Sequence, residues 1–179
     1  MKSSRVLGLL LVASVMVAIV AVVRVSSAQQ AVSGETISGT ISTTRVINQN
    51  ARLTGDVTCT VNAAPCIQFG APGLTLDLAG FTITGQSDPS TGCSSQATGG
   101  ENGILVNNQA DETIQGPGLV QRFRANGILL LNSTRNLVTR VTASTNCNSG
   151  IQANGSSDNH IESNVSVRNG TATNPCGGL

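Results

Sequence analysis

Aromatic residues are nearly missing from this 179-residue chain: it has no tryptophan, no tyrosine and three phenylalanines, Phe69, Phe81 and Phe123. A core of this size ordinarily draws much of its buried area from aromatic rings. Without them the interior has to be assembled from valine, isoleucine and leucine, in layers of small, regularly stacked side chains. Histidine is reduced to His160 and methionine to Met1 and Met16, which argues against copper handling, since imidazole and thioether are among its usual donors. The five cysteines contain no C-x-x-C pair, so no metal site is expected from them. No nucleophile elbow, phosphate loop or zinc motif occurs.

What is present begins with an export signature. Lys2 and Arg5 precede an apolar run from Val6 to Val23, and Ser26-Ser27-Ala28 places small residues at the −3 and −1 positions of a signal-peptidase site. Residues 1–28 therefore read as a cleaved signal. The alternative is an uncleaved membrane anchor, because an 18-residue run is nearly long enough to span a bilayer. Both readings put the remainder outside the cytoplasm, secreted, periplasmic or on the cell surface, with no membrane contact unless the anchor is kept. Setting aside Lys2, Arg5 and Arg24 leaves seven arginines against nine acids, a net charge of about −2, which excludes nucleic acid as the natural partner. All five cysteines lie in the exported part, where disulfides persist. Cys59 and Cys66 flank the hairpin-like CTVNAAPC and are expected to pair. Spacing leaves Cys93, Cys147 and Cys176 open, with Cys147–Cys176 as one candidate second pair.

The strongest signal is a repeat. NGILVNNQADETIQG from Asn102, NGILLLNSTRNLVTR from Asn126 and SGIQANGSSDNHIES from Ser149 align on Gly103, Gly127 and Gly150, with periods of 24 and 23 residues. One residue on stand Ile104, Ile128 and Ile151; three on, Val106, Leu130 and Ala153; eleven on, Ile114, Val138 and Ile161. Further along, Val141 and Ala143 align with Val165 and Val167. Five residues after the glycine come Asn108, Asn132 and Gly155, types that tolerate a left-handed backbone. Alternation inside each short run has period two, so these are strands.

Short strands recurring at such a period stack in parallel, ~4.8 Å apart, when each copy makes one turn of a coil. The expected fold is all-β: a right-handed, single-stranded parallel β-helix, a solenoid of about four coils of roughly 23 residues. Residues 29–65 are assigned to N-terminal strands and cap, and 66–179 to the helix. QSDPSTGCSSQATGGE (86–101) is a loop inserted between coils, and LTLDLAGFTITG (74–85) an earlier coil. Gly178-Leu179 resembles the start of another turn, so a longer β-helix is expected.

LTGDVTC followed by IQFGAPGLTLDLAGFTITG resembles the opening of exported bacterial and archaeal right-handed parallel β-helix repeat proteins of the pectin-lyase-like superfamily. The likeness runs over about residues 52 to 170. The superfamily includes polysaccharide lyases, polygalacturonases, uronan epimerases and the NosD maturation protein, so the resemblance implies a fold and a shortlist of activities.

The chemistry-bearing residues are few. Asp111, Arg135 and Asp158 share the position eight after the glycine, which stacks acid, base and acid in one column. They are either a carbohydrate-binding line or a charge ladder in which Arg135 bridges both acids and pins the register; the second reading is preferred. Polygalacturonase signatures are missing, the nearest look-alike being Ser157-Asp158-Asn159-His160. Pectate lyases use calcium and an arginine base, for which Asp158, Arg140 and Arg168 are the weak catalytic candidates. Asp158 and Glu162 flank the inward Ile161, a poor calcium set, so no cofactor is expected. His160 reads as solvent-facing, Asp111-Glu112 as a solvated turn, and the sequons at Asn132, Asn154, Asn164 and Asn169 as turn residues. The expected function is a non-catalytic exported scaffold that binds polysaccharide or a cell-surface glycan. The alternative is a lyase, hydrolase or epimerase acting on uronic-acid glycans.

Overall fold

The computed structural model describes residues 34–87, 93 and 100–170. Within them the chain winds as thirteen short strands, all paired in parallel. The first turn holds β1 (Glu35–Ile41) and β2 (Arg45–Ile47), the second β3 (Ala51–Cys59) and β4 (Ile67–Phe69). The third holds β5 (Thr75–Asp77), β6 (Thr82–Thr84) and β7 (Ile104–Asn107). Then come β8 (Thr113–Gln121) with β9 (Ile128–Leu131), and β10 (Leu137–Ser144) with β11 (Ile151–Asn154). The last are β12 (His160–Glu162) and β13 (Val165–Val167). One sheet runs β1-β3-β5-β8-β10-β12, with β6 and β13 alongside; the other runs β2-β4-β7-β9-β11. Each turn but the last, whose β12 and β13 both pair with β10, contributes to both sheets, which is a parallel β-helix. The stack starts earlier than the repeat marks it, because β1 already pairs in register with β3.

The aliphatic ladders read from sequence are the inward columns. Ile67, Ile104, Ile128 and Ile151 are registered partners and are at most 1% exposed. Leu76, Ile114, Val138 and Ile161 form a second column, and Val106, Leu130 and Ala153 a third. The glycine column beside them has a spatial reason. A Cβ on Gly103 would lie 2.5 Å from the Gly127 carbonyl oxygen, and one on Gly127 would lie 2.6 Å from that of Gly150. Gly103, Gly127 and Gly150 mark a corner where successive turns come too close for a side chain.

Other corners are held by side-chain amides lying along the helix. Asn102 Oδ1 accepts from the backbone N–H of Asn126 (3.1 Å) and its Nδ2 (2.9 Å); Asn126 Oδ1 accepts from Ser149 N and Asn148 Nδ2. Asn146 and Asn169 form a second such column, and Asn136 and Asn159 a third. These amides satisfy N–H groups that strand pairing leaves over at the bends, where an unpaired buried donor is costly. The sequon residues Asn164 and Asn169 belong to this set, donating to the Val138 and Ala143 carbonyls.

Two sequence readings are corrected. Val165 and Val167 do not continue the column of Val141 and Ala143. Ser166 stands opposite Ala143, and the two valines face outward, 54% and 41% exposed. The offset from β10 is the same on both sides of Ser163-Asn164, where Ser163 has φ 57° and Asn164 Oδ1 accepts the Val141 N–H, so Asn164 stands at the Val141 rung and the valines fall opposite Thr142 and Ser144. The cysteine pairing differs as well. Cys59 bonds Cys66, with Cα atoms 5.9 Å apart, but Cys147 bonds Cys93 rather than Cys176, at 5.4 Å. Cys93 and Cys147 are bonded although 54 residues separate them in the chain. Residues 1–28, most of the 86–101 loop, Cys176 and the Gly178-Leu179 start of a further turn lie outside the described residues.

Candidate functional site

The five residues singled out for binding or catalysis share a backbone property. Asp111 (φ 68°), Arg135 (56°), Asp158 (57°), Arg140 (58°) and Arg168 (56°) are all left-handed. They fall into columns: Asp111, Arg135 and Asp158 at one corner; Arg140 with Ala79 and Ser163 at the break in the first sheet; Arg168 with Arg122 and Thr145 at a third. A side chain in that region costs roughly 1–2 kcal/mol, so these positions serve the bend first. Replacing Arg140 by glycine is expected to raise stability by about 1 kcal/mol, read as a higher denaturation midpoint. A lower midpoint would mean that the arginine side chain holds the corner.

Asp111 and Arg135 meet as a two-pronged pair, Nε to Oδ1 at 2.8 Å and Nη2 to Oδ2 at 2.7 Å. The ladder is one rung shorter than expected. With both prongs on Asp111, Arg135 forms no ion pair with Asp158, whose charge only adds to the pull on the guanidinium. The hydrogen bonds from Arg135 hold the Asp111 carboxyl below its ordinary value, and the same contact pushes Arg135 up. That is the wrong direction for a general acid. Both side chains are more than half exposed, so the pair contributes little to stability. Arg140, Arg168 and Asp158 sit at three different corners and are not brought together with one another. His160 is exposed on β12.

Glu112 does not lie in the solvated turn that its neighbour Asp111 suggests. Asp111 faces water, but Glu112 is 1% exposed. Its Oε2 accepts the Leu74 N–H at 2.8 Å, while Oε1 is buried with no partner. Burial pushes this carboxyl up to about 7; the Leu74 N–H opposes the shift, the Asp111 charge adds to it, and the Gly73 N–H opposes it. Sequence reasoning also missed Glu101, 5% exposed, whose Oε1 accepts from Arg124 Nη1 (3.0 Å) and Ala63 N (2.8 Å). This contact ties the loop between Cys59 and Cys66 to the next turn. Glu112 stands at the same corner as Asn136 and Asn159, so the repeat alignment carried a signal: an acid in a column of amides.

The outward face of the first sheet is an extended surface built from several turns. Thr40, Thr58, Thr84, Gln121 and Ser144 form one registered column across β1, β3, β6, β8 and β10. Thr82, Leu119 and Thr142 form the column beside it. Rungs are ~4.8 Å apart and neighbouring columns ~7 Å. Asp56 stands at the β3 end of the second column, its Oδ1 accepting the Thr82 N–H at 2.9 Å; the other positions named are uncharged. Gln121 Nε2 donates to Thr84 Oγ1 at 3.1 Å, linking two rungs.

A profile of the family described as "Periplasmic copper-binding protein (NosD)" matches residues 21–176. The chain belongs to the NosD family. No curated protein and no solved structure shows a match to it. The parallel sheets are those of this β-helix family. The family is periplasmic by its description, and disulfides such as Cys59–Cys66 and Cys93–Cys147 persist in oxidising compartments. This NosD-family chain is extracytoplasmic.

Proposed function

We propose that the chain is a non-catalytic extracytoplasmic scaffold whose outward first sheet binds neutral carbohydrate. The observation that carries this reading is the lattice of hydroxyls and an amide, Thr58, Thr82, Thr84, Gln121, Thr142 and Ser144, repeated turn after turn and bordered by one carboxylate, Asp56. Hydroxyls and side-chain amides both donate and accept, which suits sugar hydroxyls. A repeating surface suits a repeating polymer, because weak contacts on successive rungs add through effective concentration. With no aromatic ring to stack against a sugar face, each contact is weak and binding depends on polymer length.

Two other roles are less well supported. For acid–base catalysis, the carboxyl whose pKa suits a general acid near neutrality is Glu112, and a substrate cannot reach a side chain that is 1% exposed. For copper, which the family's description names, the donors are thiolate, thioether and imidazole. The four described cysteines are in disulfides, and His160 is the one described histidine. No group of three or more His, Cys, Asp or Glu converges among the described residues. This donor set does not fit a copper site.

The test is titration with neutral polysaccharides of increasing length, beside polygalacturonate. Saturable binding that tightens with length is expected for at least one neutral polymer, weakened at least fivefold by Thr84→Ala with Gln121→Ala. Release of unsaturated uronates from polygalacturonate, or binding to the anionic polymer alone, overturns the proposal in favour of the enzyme reading.

A further inference from the structure

At the corner occupied by Glu112 the turns are joined by a column of side chains. Asn159 Oδ1 accepts from both the backbone N–H and Nδ2 of Asn136, each at 2.9 Å. Asn136 Oδ1 accepts the Glu112 N–H at 2.9 Å, and Glu112 Oε2 accepts the Leu74 N–H. From the other side, Asn50 Oδ1 accepts the Thr75 N–H at 2.9 Å. The backbone of Leu74-Thr75, which starts the third turn, is thus held between an amide and an acid.

An amide is suited to such a column because it brings one acceptor and one donor. Asn136 and Asn159 use both: Asn136 Nδ2 donates to Asn159, and Asn159 Nδ2 donates to the Ser133 carbonyl at 3.2 Å. An ionised glutamate brings two acceptors and no donor. One is used and the other, Oε1, is left buried without a partner. A protonated glutamate regains a donor, as the amides of the column have, and places no net charge in the buried corner.

We propose that Glu112 is a proton-operated joint between the turn beginning at Leu74 and the turn beginning at Thr113, closed when its carboxyl is neutral and loosened when it ionises. The ionisable groups around it are few. Residues 48–50 and 70–75 bring none. Its own turn brings Asp111, whose negative charge favours the protonated form of Glu112, and the turn at 132–136 brings Arg135, committed to Asp111. No cation is paired with Glu112 among the described residues. The carboxyl titrates at about 7 in the fold against an ordinary 4.5. The folded chain therefore binds more protons than the unfolded chain between those values. Its contribution to stability is fully present below about 4.5 and is lost as pH rises through about 7. The joint stands independently of any ligand on the outer sheet.

Amide hydrogen exchange on the full chain tests this. Protection factors, corrected for intrinsic exchange, are expected to fall at least tenfold at Leu74 and Gly73 between pH 6 and pH 8. In Glu112→Gln the same change is expected to be under threefold. Equal protection at both pH values in the native chain overturns the proposal, as does the same tenfold fall in the variant. Carbon NMR of the Glu112 carboxyl in the unmodified protein supplies a measurement that needs no variant. A titration midpoint near 7 supports the joint, and one near 4.5 overturns it.

Discussion

Gly103→Ala is expected to lower the unfolding free energy by about 3 kcal/mol, at the upper end of what overpacking a core costs. The new methyl carbon would stand 2.5 Å from the Gly127 carbonyl oxygen and 2.7 Å from both Phe123 Cε2 and Val120 Cγ1. The nearest of these atoms is backbone and fully engaged, since Gly127 O accepts the Ile104 N–H at 2.9 Å. Relief therefore means moving one turn against the next, which strains the pairing of Ile104 with Ile128. Gly127→Ala is expected to behave alike, meeting Gly150 O at 2.6 Å and Asn146 Nδ2 at 2.7 Å. Gly73→Ala supplies the contrast. Gly73 is left-handed at φ 74°, and a methyl added there would meet nothing within 4 Å. Its cost is limited to the roughly 1–2 kcal/mol of left-handed strain. Chemical denaturation of the three variants separates the two causes. If Gly73→Ala costs as much as Gly103→Ala, close approach of the turns is not the reason for the repeated glycine.

Asn146→Ala is expected to cost about 3 kcal/mol, the combined effect of unsatisfied buried polar groups and a small cavity. Asn146 is 0% exposed. Its Oδ1 accepts the Phe123 N–H at 3.1 Å, and its Nδ2 donates to Asn169 Oδ1 at 2.9 Å and to the Val120 carbonyl at 3.3 Å. Truncation strands a buried donor on the preceding turn and removes a donor from the following one. Asn154, exposed at the end of β11, is the control, and Asn154→Ala is expected to change stability by less than about 0.5 kcal/mol. Equal midpoints for the two variants would remove the amide columns from what holds the turns together.

Much of this is legible in the chain, for identifiable reasons. The columns of Ile104, Ile128 and Ile151, and of Ile114, Val138 and Ile161, align in register because each rung presents the same inward slot and the period carries it forward. Asn108, Asn132 and Gly155 have the residue types of left-handed turns, and their φ values are 53°, 48° and 60°. The charged residues mislead because residue type does not announce a left-handed backbone outside glycine and asparagine. Arg140, Arg168 and Asp158 look like chemistry and stand at corners. Val165 and Val167 look inward because alternation resumes on either side of a break, and only the Asn164 bend sets its phase.

The sequence by itself determined the parallel coil and its period, because a repeated inward slot is a property of residue order. The tertiary structure alone decided which groups are sealed and which are open. Asp111 and Glu112 are neighbours in the chain, yet one faces water across from Arg135 and the other lies under the turn at Leu74. Cys93 reaches Cys147 across 54 residues. Burial and long-range pairing depend on how one turn lies on the next, and no single turn contains that information.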